Sequence, residues 1–268
     1  MNTDDRWPTR VSDETILLPV SENHLGISAG FLKRGYCLIK EECADLIPEI
    51  TGESLKGCHL NRESDSEKIR SVLGIHKVNS VRPIVERLQP LAESILNCDV
   101  YVHQSRINLK HPNGSSGWSW HSDFETWHSK DGMPDPHCLS AMVALDDNTS
   151  VNGSLEVLTT SHTLFWGDKK GSTDSSPEAE FTNQTVGVPP ESVIREYLHR
   201  PGSCVEKILM RKGDVLFFHS NLLHTSKPNL SDEPRKNLFI VFNSTSNRLT
   251  DPYDGSEPRP EYMASRGK

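Results

Sequence analysis

Apolar positions recur along the chain with two different periods, and the change falls near residue 100. Before it the pattern is mainly helical. "VRPIVERLQPLAESILN" places Ile84, Leu88, Leu91 and Ile95 on one face, as an amphipathic helix requires. Pro90 in its middle predicts a kink or a split. Upstream, "GYCLI" reads as a short strand, followed by a helix that starts at the acidic pair Glu41-Glu42. "SEKIRSVLGIHK" suits a strand or a short helix equally well.

After residue 100 the period becomes two. "VYVHQSRINLK" alternates and is rich in β-branched residues, as a strand should be. "SGWSWHSDFE", "CLSAMVALDD", "GSLEVLTTSH", "GDVLFFHS" and "NLFIVFNST" follow as further strands. Turn-forming "HPNGSSG", "DDNTSVNG" and "NLSDEPR" separate them. The expected fold is mainly β with flanking helices around a double-stranded β-helix core of the jelly-roll or cupin-like kind. One domain, 1–268, is expected, with a helical part about 1–99 and a β-roll about 100–247. The polar stretch Gly167–Pro201 is too long for an ordinary connection and reads as a lid-like insertion.

Composition narrows the partners. The net charge is −8 and basic residues are scattered, which excludes nucleic acid or an anionic membrane as the main partner. The longest apolar runs are strand-length, and "MNTDDRWPTR" has no signal-peptide core. Six spread cysteines without a C-x-x-C pair fit reduced thiols and a cytoplasmic location.

The chemistry concentrates in "WSWHSDFETWH". On a strand, His121 and Asp123 project from one face, and a third ligand would complete a facial 2-His-1-carboxylate triad. Such a triad suits Fe(II) with open positions; zinc is the competing metal. Downstream, His219 and His224 are available. His224 is favoured because Arg235 follows at the start of the next strand, where it could pair with a distal carboxylate. His219 then packs or hydrogen-bonds behind the site, and His128 is not a ligand. By strand parity Trp127 shares the face of His121 and Asp123, while Trp120 and Thr126 face away. A non-catalytic binding module on the same fold would be marked by a lost ligand, and all three are present.

These motifs carry a resemblance. "HQSRIN", "WHSDFETWHSKDGMP", "DDNTSVNGSLEVLTTSH", "HTSKPNLSDEPRKNLFIVFNS" and the closing "PRPEYMASR" resemble the ectoine hydroxylases of the phytanoyl-CoA dioxygenase superfamily. The likeness covers about 70–165 and 204–247, with departures at Trp118, Lys130, Thr159-Thr160 and through Gly167–Pro201. It implies Fe(II) on His121, Asp123 and His224, with 2-oxoglutarate and O2 as co-substrates. Arg235 would hold the distal carboxylate of 2-oxoglutarate, with Arg106, Asn108, Trp118 and Ser140 nearby. Gln104, Trp127, Phe218, Phe239 and Ser226 would enclose a small zwitterionic cyclic substrate. The implied activity is hydroxylation of a small cyclic amino acid or derivative, ectoine being the archetype. A free cyclic imino acid such as proline or pipecolate is the alternative, and a homodimer stays open.

Overall fold

A computed structural model of the chain describes residues 9–10, 25–47, 55–63, 67–114, 117–165 and 187–267. Its strands are β1 (Thr9–Arg10), β2 (Tyr36–Ile39), β3 (His59–Arg62), β4 (Ile69–Leu73), β5 (Val100–Lys110), β6 (Trp118–His121), β7 (Cys138–Ala144), β8 (Leu155–Leu158), β9 (Leu164–Phe165), β10 (Val205–Ile208), β11 (Val215–His219), β12 (His224–Ser226) and β13 (Arg235–Ser244). The helices are α1 (Leu25–Arg34), α2 (Arg82–Leu96), α3 (Asp123–Asp131) and α4 (Glu191–Leu198).

Two antiparallel sheets face each other, as the jelly-roll reading expects. The larger runs β2-β11-β7-β13-β5-β4-β3 and the smaller β10-β8-β12-β6; β1 pairs separately with β9. Alternation in the central strands sorts the layers. Leu139, Ala141, Val143, Phe217, Leu238, Ile240 and Phe242 turn outward into a core shared with Ile84, Leu88 and Ile95 of α2. Met142, Ala144, Leu216, Phe218 and Phe239 turn inward and pack with Leu155, Val157 and Ile208 of the small sheet. Each fully buried Leu, Ile or Phe contributes about 1.5–3 kcal/mol, so this sandwich is a stiff frame.

Several sequence expectations need correction. α2 runs unbroken through Pro90. Pro90 and Glu86 are both exposed, so the carbonyl that Pro90 leaves unpaired can turn to water. No helix begins at Glu41-Glu42. Glu41 adopts a left-handed φ of 58°, its N–H donates to Asp214 Oδ1 at 2.9 Å, and the chain continues as turns. "SEKIRSVLGIHK" holds both elements: β4, then a 3-10 turn at Ile75–Lys77, divided by Gly74. The region expected to be helical also sends β2, β3 and β4 into the large sheet. Most consequential, "SGWSWHSDFE" is not one strand: β6 stops at His121 and α3 starts at Asp123.

β5 carries one irregularity. Gln104 pairs with Val241 and Val102 with Phe242, which leaves His103 as an extra residue without a cross-strand partner. The expected lid-like insertion lies outside the described residues up to 186. From 187 it holds α4, whose Val193, Ile194 and Tyr197 are buried. All six cysteines are free, and among the described residues no helix is long and apolar enough to cross a membrane.

Candidate metal centre and its cavity

β6 and β12 are antiparallel neighbours, and His121 and His224 are direct partners across them. Their rings lie 4.1 Å apart between centroids. Asp123, the first residue of α3, inserts its carboxylate beside both: Oδ1 is 3.7 Å from His121 Nε2, and Oδ2 is 4.0 Å from His224 Nε2. All three side chains are buried. The other nitrogen of each ring is anchored, with Nδ1 of His121 at 2.7 Å from the Ser119 carbonyl and Nδ1 of His224 at 2.9 Å from that of Leu222. Those bonds hold each Nδ1–H and leave Nε2 with its lone pair toward the carboxylate, as metal ligation needs.

Electrostatics agree with ligation. Burial, then His224, push the His121 pKa down to about 3, so the ring is neutral at physiological pH. Burial alone would raise Asp123, but His224, Arg106 and His121 outweigh it and hold the carboxyl below its usual value. Asp123 Oδ2 is buried without a hydrogen-bond partner. One ligand atom from each residue lies within 4.8 Å of the others. Two imidazoles anchored through Nδ1 and a carboxylate with an orphaned oxygen, on one side of a cavity, fit a divalent metal with open positions.

The cavity wall is a ladder of cross-strand pairs. On β5 and β13, Arg106 faces Phe239, Asn108 faces Asn237, and Lys110 faces Arg235. Period two puts all six on the inward face. Arg106 lies 4.9 Å over the Phe239 ring, is 3.9 Å from Asp123 Oδ1, and donates to Gln104 Oε1. Asn108 Oδ1 accepts from Ser71 at 3.0 Å. Trp118 lies beneath the Arg70 guanidinium at 4.2 Å. Arg235 donates to the Gly153 carbonyl.

The other end is assembled differently. Trp127 is one helical turn beyond Asp123, so i,i+4 geometry brings it to the same wall. Asp131 takes a bidentate grip from Arg259, at 2.6 and 2.7 Å, and lies 3.3 Å from His103 Nε2. His103 meets the Trp127 ring edge-on at 5.4 Å. The C-terminal segment is bound in turn, with Gln104 Nε2 donating to the Met263 carbonyl at 2.7 Å and Ser265 N–H to that of His103 at 2.7 Å. Gly132 ends α3 at a φ of 72°, and a Cβ there would sit 2.4 Å from the Asp251 carbonyl oxygen, so only glycine lets these chains meet.

Most expected site residues therefore converge: His121, Asp123, His224, Gln104, Arg106, Asn108, Trp118, Trp127, Ser226, Arg235 and Phe239 all line one cavity. Ser140 and Phe218 do not reach its wall. They are cross-strand partners on the inward face, one strand further along, and Phe218 meets the His224 ring at 5.2 Å. Thr126 lines the cavity instead of facing away, because the local period is helical. Trp120 does turn away, against Leu158, Leu164 and Ile194. Lys110, Met142, Leu155, Thr225, Asn237 and Arg259 line the cavity without having been expected there. Alternation from Arg106 and Arg235 marks Lys110 and Asn237; no local signal marks Arg259. His219 hydrogen-bonds to the Asn221 N–H, and His128 to the Met133 carbonyl, both away from the triad.

Residues 39–237 match the model of a protein family described as phytanoyl-CoA dioxygenase (PhyH). The chain belongs to this family. An ectoine dioxygenase from Nocardia farcinica is 35% identical over 281 residues, covering 98% of this chain and 94% of that protein. Another, from Streptomyces avermitilis, is 38% identical over 207 residues, covering 76% and 70%. The EctD structure from S. alaskensis with 2-oxoglutarate and 5-hydroxyectoine superimposes with a TM-score of 0.73 at 32% identity, covering 97% of this chain and 89% of that one. An EctD structure with bound Fe gives 0.72 at 31%. The epimerase SnoN from nogalamycin biosynthesis, 18% identical with a TM-score of 0.63, shares the fold.

Proposed function

We propose that this chain is an Fe(II)- and 2-oxoglutarate-dependent hydroxylase of a small cyclic amino-acid derivative, with ectoine as its first candidate substrate. The whole chain is taken to act as one oxygenase domain. The observation that carries the reading is the Asp123 carboxylate, one oxygen of it orphaned, beside the Nε2 atoms of His121 and His224 in the cavity that Arg235 also lines. The relatives' activity and the 2-oxoglutarate and 5-hydroxyectoine in EctD support the same choice.

Iron(II), when bound with 2-oxoglutarate and O2, supplies the oxidant that places one oxygen atom in a substrate C–H bond, with succinate and CO2 as co-products. His121, Asp123 and His224 would hold the metal from one side and leave the cavity side open. Arg235 would hold the distal carboxylate of 2-oxoglutarate, with Asn108 and Trp118 beside it on the cavity wall. Arg106 stands beside the triad, 3.9 Å from Asp123 Oδ1, and would orient that carboxylate. Trp127 and Phe239 form aromatic walls that exclude water and face a delocalised cation. Gln104 and Ser226 offer polar contacts. Ser140 and Phe218 flank the wall on the same inward face.

The test is incubation with Fe(II), 2-oxoglutarate, O2 and a panel of ectoine, proline, pipecolate and linear amino acids. Ectoine is expected to gain one oxygen atom with matching succinate. Oxygen gain on proline or pipecolate alone would move the substrate assignment. No gain on any member, with tight zinc binding and no Fe(II)–2-oxoglutarate absorption band under nitrogen, would overturn the oxygenase reading.

A further inference from the structure

Ser122 is the single residue between two members of the triad, and it joins elements of different kinds. His121 ends β6, where register with β12 sets its place, whereas Asp123 begins α3. Neither sheet register nor helical geometry fixes the angle between them. That angle depends on the backbone of Ser122 and on the groups that grip it.

Ser122 stands at the N-cap of α3 with an extended backbone. A serine hydroxyl there ordinarily accepts from the second or third N–H of the helix. Ser122 makes no such bond. The Phe124 N–H, second in the helix, donates instead to the Ser220 carbonyl at 2.9 Å. The Ser122 hydroxyl donates away from the helix, to Asn221 Oδ1 at 3.1 Å. The Ser220-Asn221 turn has thus taken over the cap, and the hydroxyl is released to bind that turn. Departures of this kind from a local rule gather at functional sites.

Asn221 is fully buried, and both sides of its amide are engaged. Nδ2 donates to the His162 carbonyl at 3.1 Å and to that of Leu164, which fixes Oδ1 toward Ser122. Its N–H donates to His219 Nδ1 at 3.0 Å. The next carbonyl along, that of Leu222, accepts from Nδ1 of His224. Three consecutive residues therefore grip the start of α3, the Ser122 joint and the third ligand. From the opposite side the Ser122 N–H donates to the Gly187 carbonyl at 3.2 Å. Gly187 has a φ of 75°, and a Cβ there would lie 2.7 Å from the Ser122 carbonyl oxygen, so glycine alone allows this approach.

We infer that Asn221, acting through the Ser122 hydroxyl, is a positioning residue of the metal centre. It sets the angle between β6 and α3, and with it the fit of His121 and Asp123 to one ion. The inference rests on the metal-centre part of the oxygenase reading and adds to it the residues that hold two ligands in register. Partners behind metal ligands commonly change metal affinity by about 10–100-fold.

The competing role is a bolt that serves the fold alone. Co(II) alone is titrated under nitrogen into the metal-free full chain, with its visible d–d absorption followed. Ser122→Ala removes one hydrogen bond and leaves the Phe124 N–H on Ser220. It should bind Co(II) about tenfold or more weakly, with the band changed in position or intensity, while still folded at the titration temperature. Ser122→Thr keeps the hydroxyl and should stay within about threefold of the wild type. Asn221→Ala should lose at least as much affinity as Ser122→Ala, and combining the two should cost less than about twofold more, because both remove one bond. At saturating Fe(II), Ser122→Ala should lower kcat about tenfold and change KM for 2-oxoglutarate by less than about threefold.

A bolt predicts a lower metal-free Tm with wild-type Co(II) affinity and spectrum. That result for Ser122→Ala would overturn the inference while the oxygenase reading stood. Ser122→Thr as weak as Ser122→Ala would also overturn it, by placing the effect in packing instead of the hydroxyl. Should Asn221→Ala not fold, the two Ser122 variants decide alone. A wild type that binds neither Co(II) nor Fe(II) would remove both readings.

Discussion

At one end of the cavity, polar side chains stand in cross-strand register; at the other they meet from a helix, a bulged residue and the C-terminal segment. The first end holds Arg106, Asn108, Lys110, Asn237 and Arg235 on two long central strands. The backbone of Arg106, Asn108 and Asn237 is held by ladder pairing on both sides, since β4 also pairs with β5 and β7 with β13 there. The second end holds Trp127, Asp131, His103 and Arg259, joined by one buried ion cluster instead of by register. Sheet geometry positions groups without help from their side chains. Where chains from distant parts of the sequence converge, the side chains themselves must hold the geometry, and losing one should be costly.

Mutations at the two ends and at the triad between them turn that difference into measurements. The largest effect is expected at the junction. Asp123→Ala should abolish succinate formation while the far-UV spectrum and unfolding midpoint stay near wild type, because it removes an orphaned buried carboxylate. Near-normal turnover would remove Asp123 from the metal centre.

Arg259→Met comes next. It leaves Asp131 as a buried charge with only His103 beside it, a loss of about 3–5 kcal/mol by urea unfolding. A loss below about 1 kcal/mol would mean that the C-terminal segment is not held this way. Trp127→Ala should be milder in stability and specific in its effect: succinate formed per hydroxylated substrate rises, while KM for 2-oxoglutarate changes by less than about threefold. A globally unfolded variant would instead make Trp127 a packing residue of the cluster with Phe124, Met133 and Val241.

The smallest effect is on pH dependence. Burial alone would raise the Asp131 pKa, but Arg259 and His103 hold it below the usual carboxylate value. Its contribution to stability is therefore present above the unfolded pKa, about 3.9, and is lost as pH falls through the lower folded value. Asp131→Asn should flatten the decline of Tm in that acidic window and leave the slope above about pH 5 unchanged. An unchanged acid slope would show that other carboxylates set it.

The same contrast explains what was legible in the sequence. β5 could be read from its alternation and β13 from its apolar run, while the register that pairs them across the cavity wall appears only in the fold. The triad was also legible, although the reason differs. His121 and Asp123 were expected as strand neighbours, yet they belong to a strand end and a helix start. The signal for that break was present as Ser122 followed three positions later by Glu125, a helix-start pattern. Trp127 reaches the cavity by helical spacing instead of strand parity, and the same spacing brings Thr126 there. Short elements such as the edge strand β10 and the three-residue β12 left little periodicity to read. Arg259 was beyond local reading because its partner Asp131 lies 128 positions away.

The extra residue at His103 resets the phase of β5. Before it, Val100 and Val102 serve the outer core; after it, Ile107 and Leu109 do, so the core-facing positions switch from even to odd numbers. The strand's outer half and its catalytic half are thereby uncoupled in phase. Deleting a residue outside the bulge could be absorbed there by restoring plain pairing, with the inward face from Gln104 to Lys110 left in place. A sheet with such a joint can vary at its rim without turning its active wall inside out, which gives a lineage room to change one end of the strand while chemistry fixes the other.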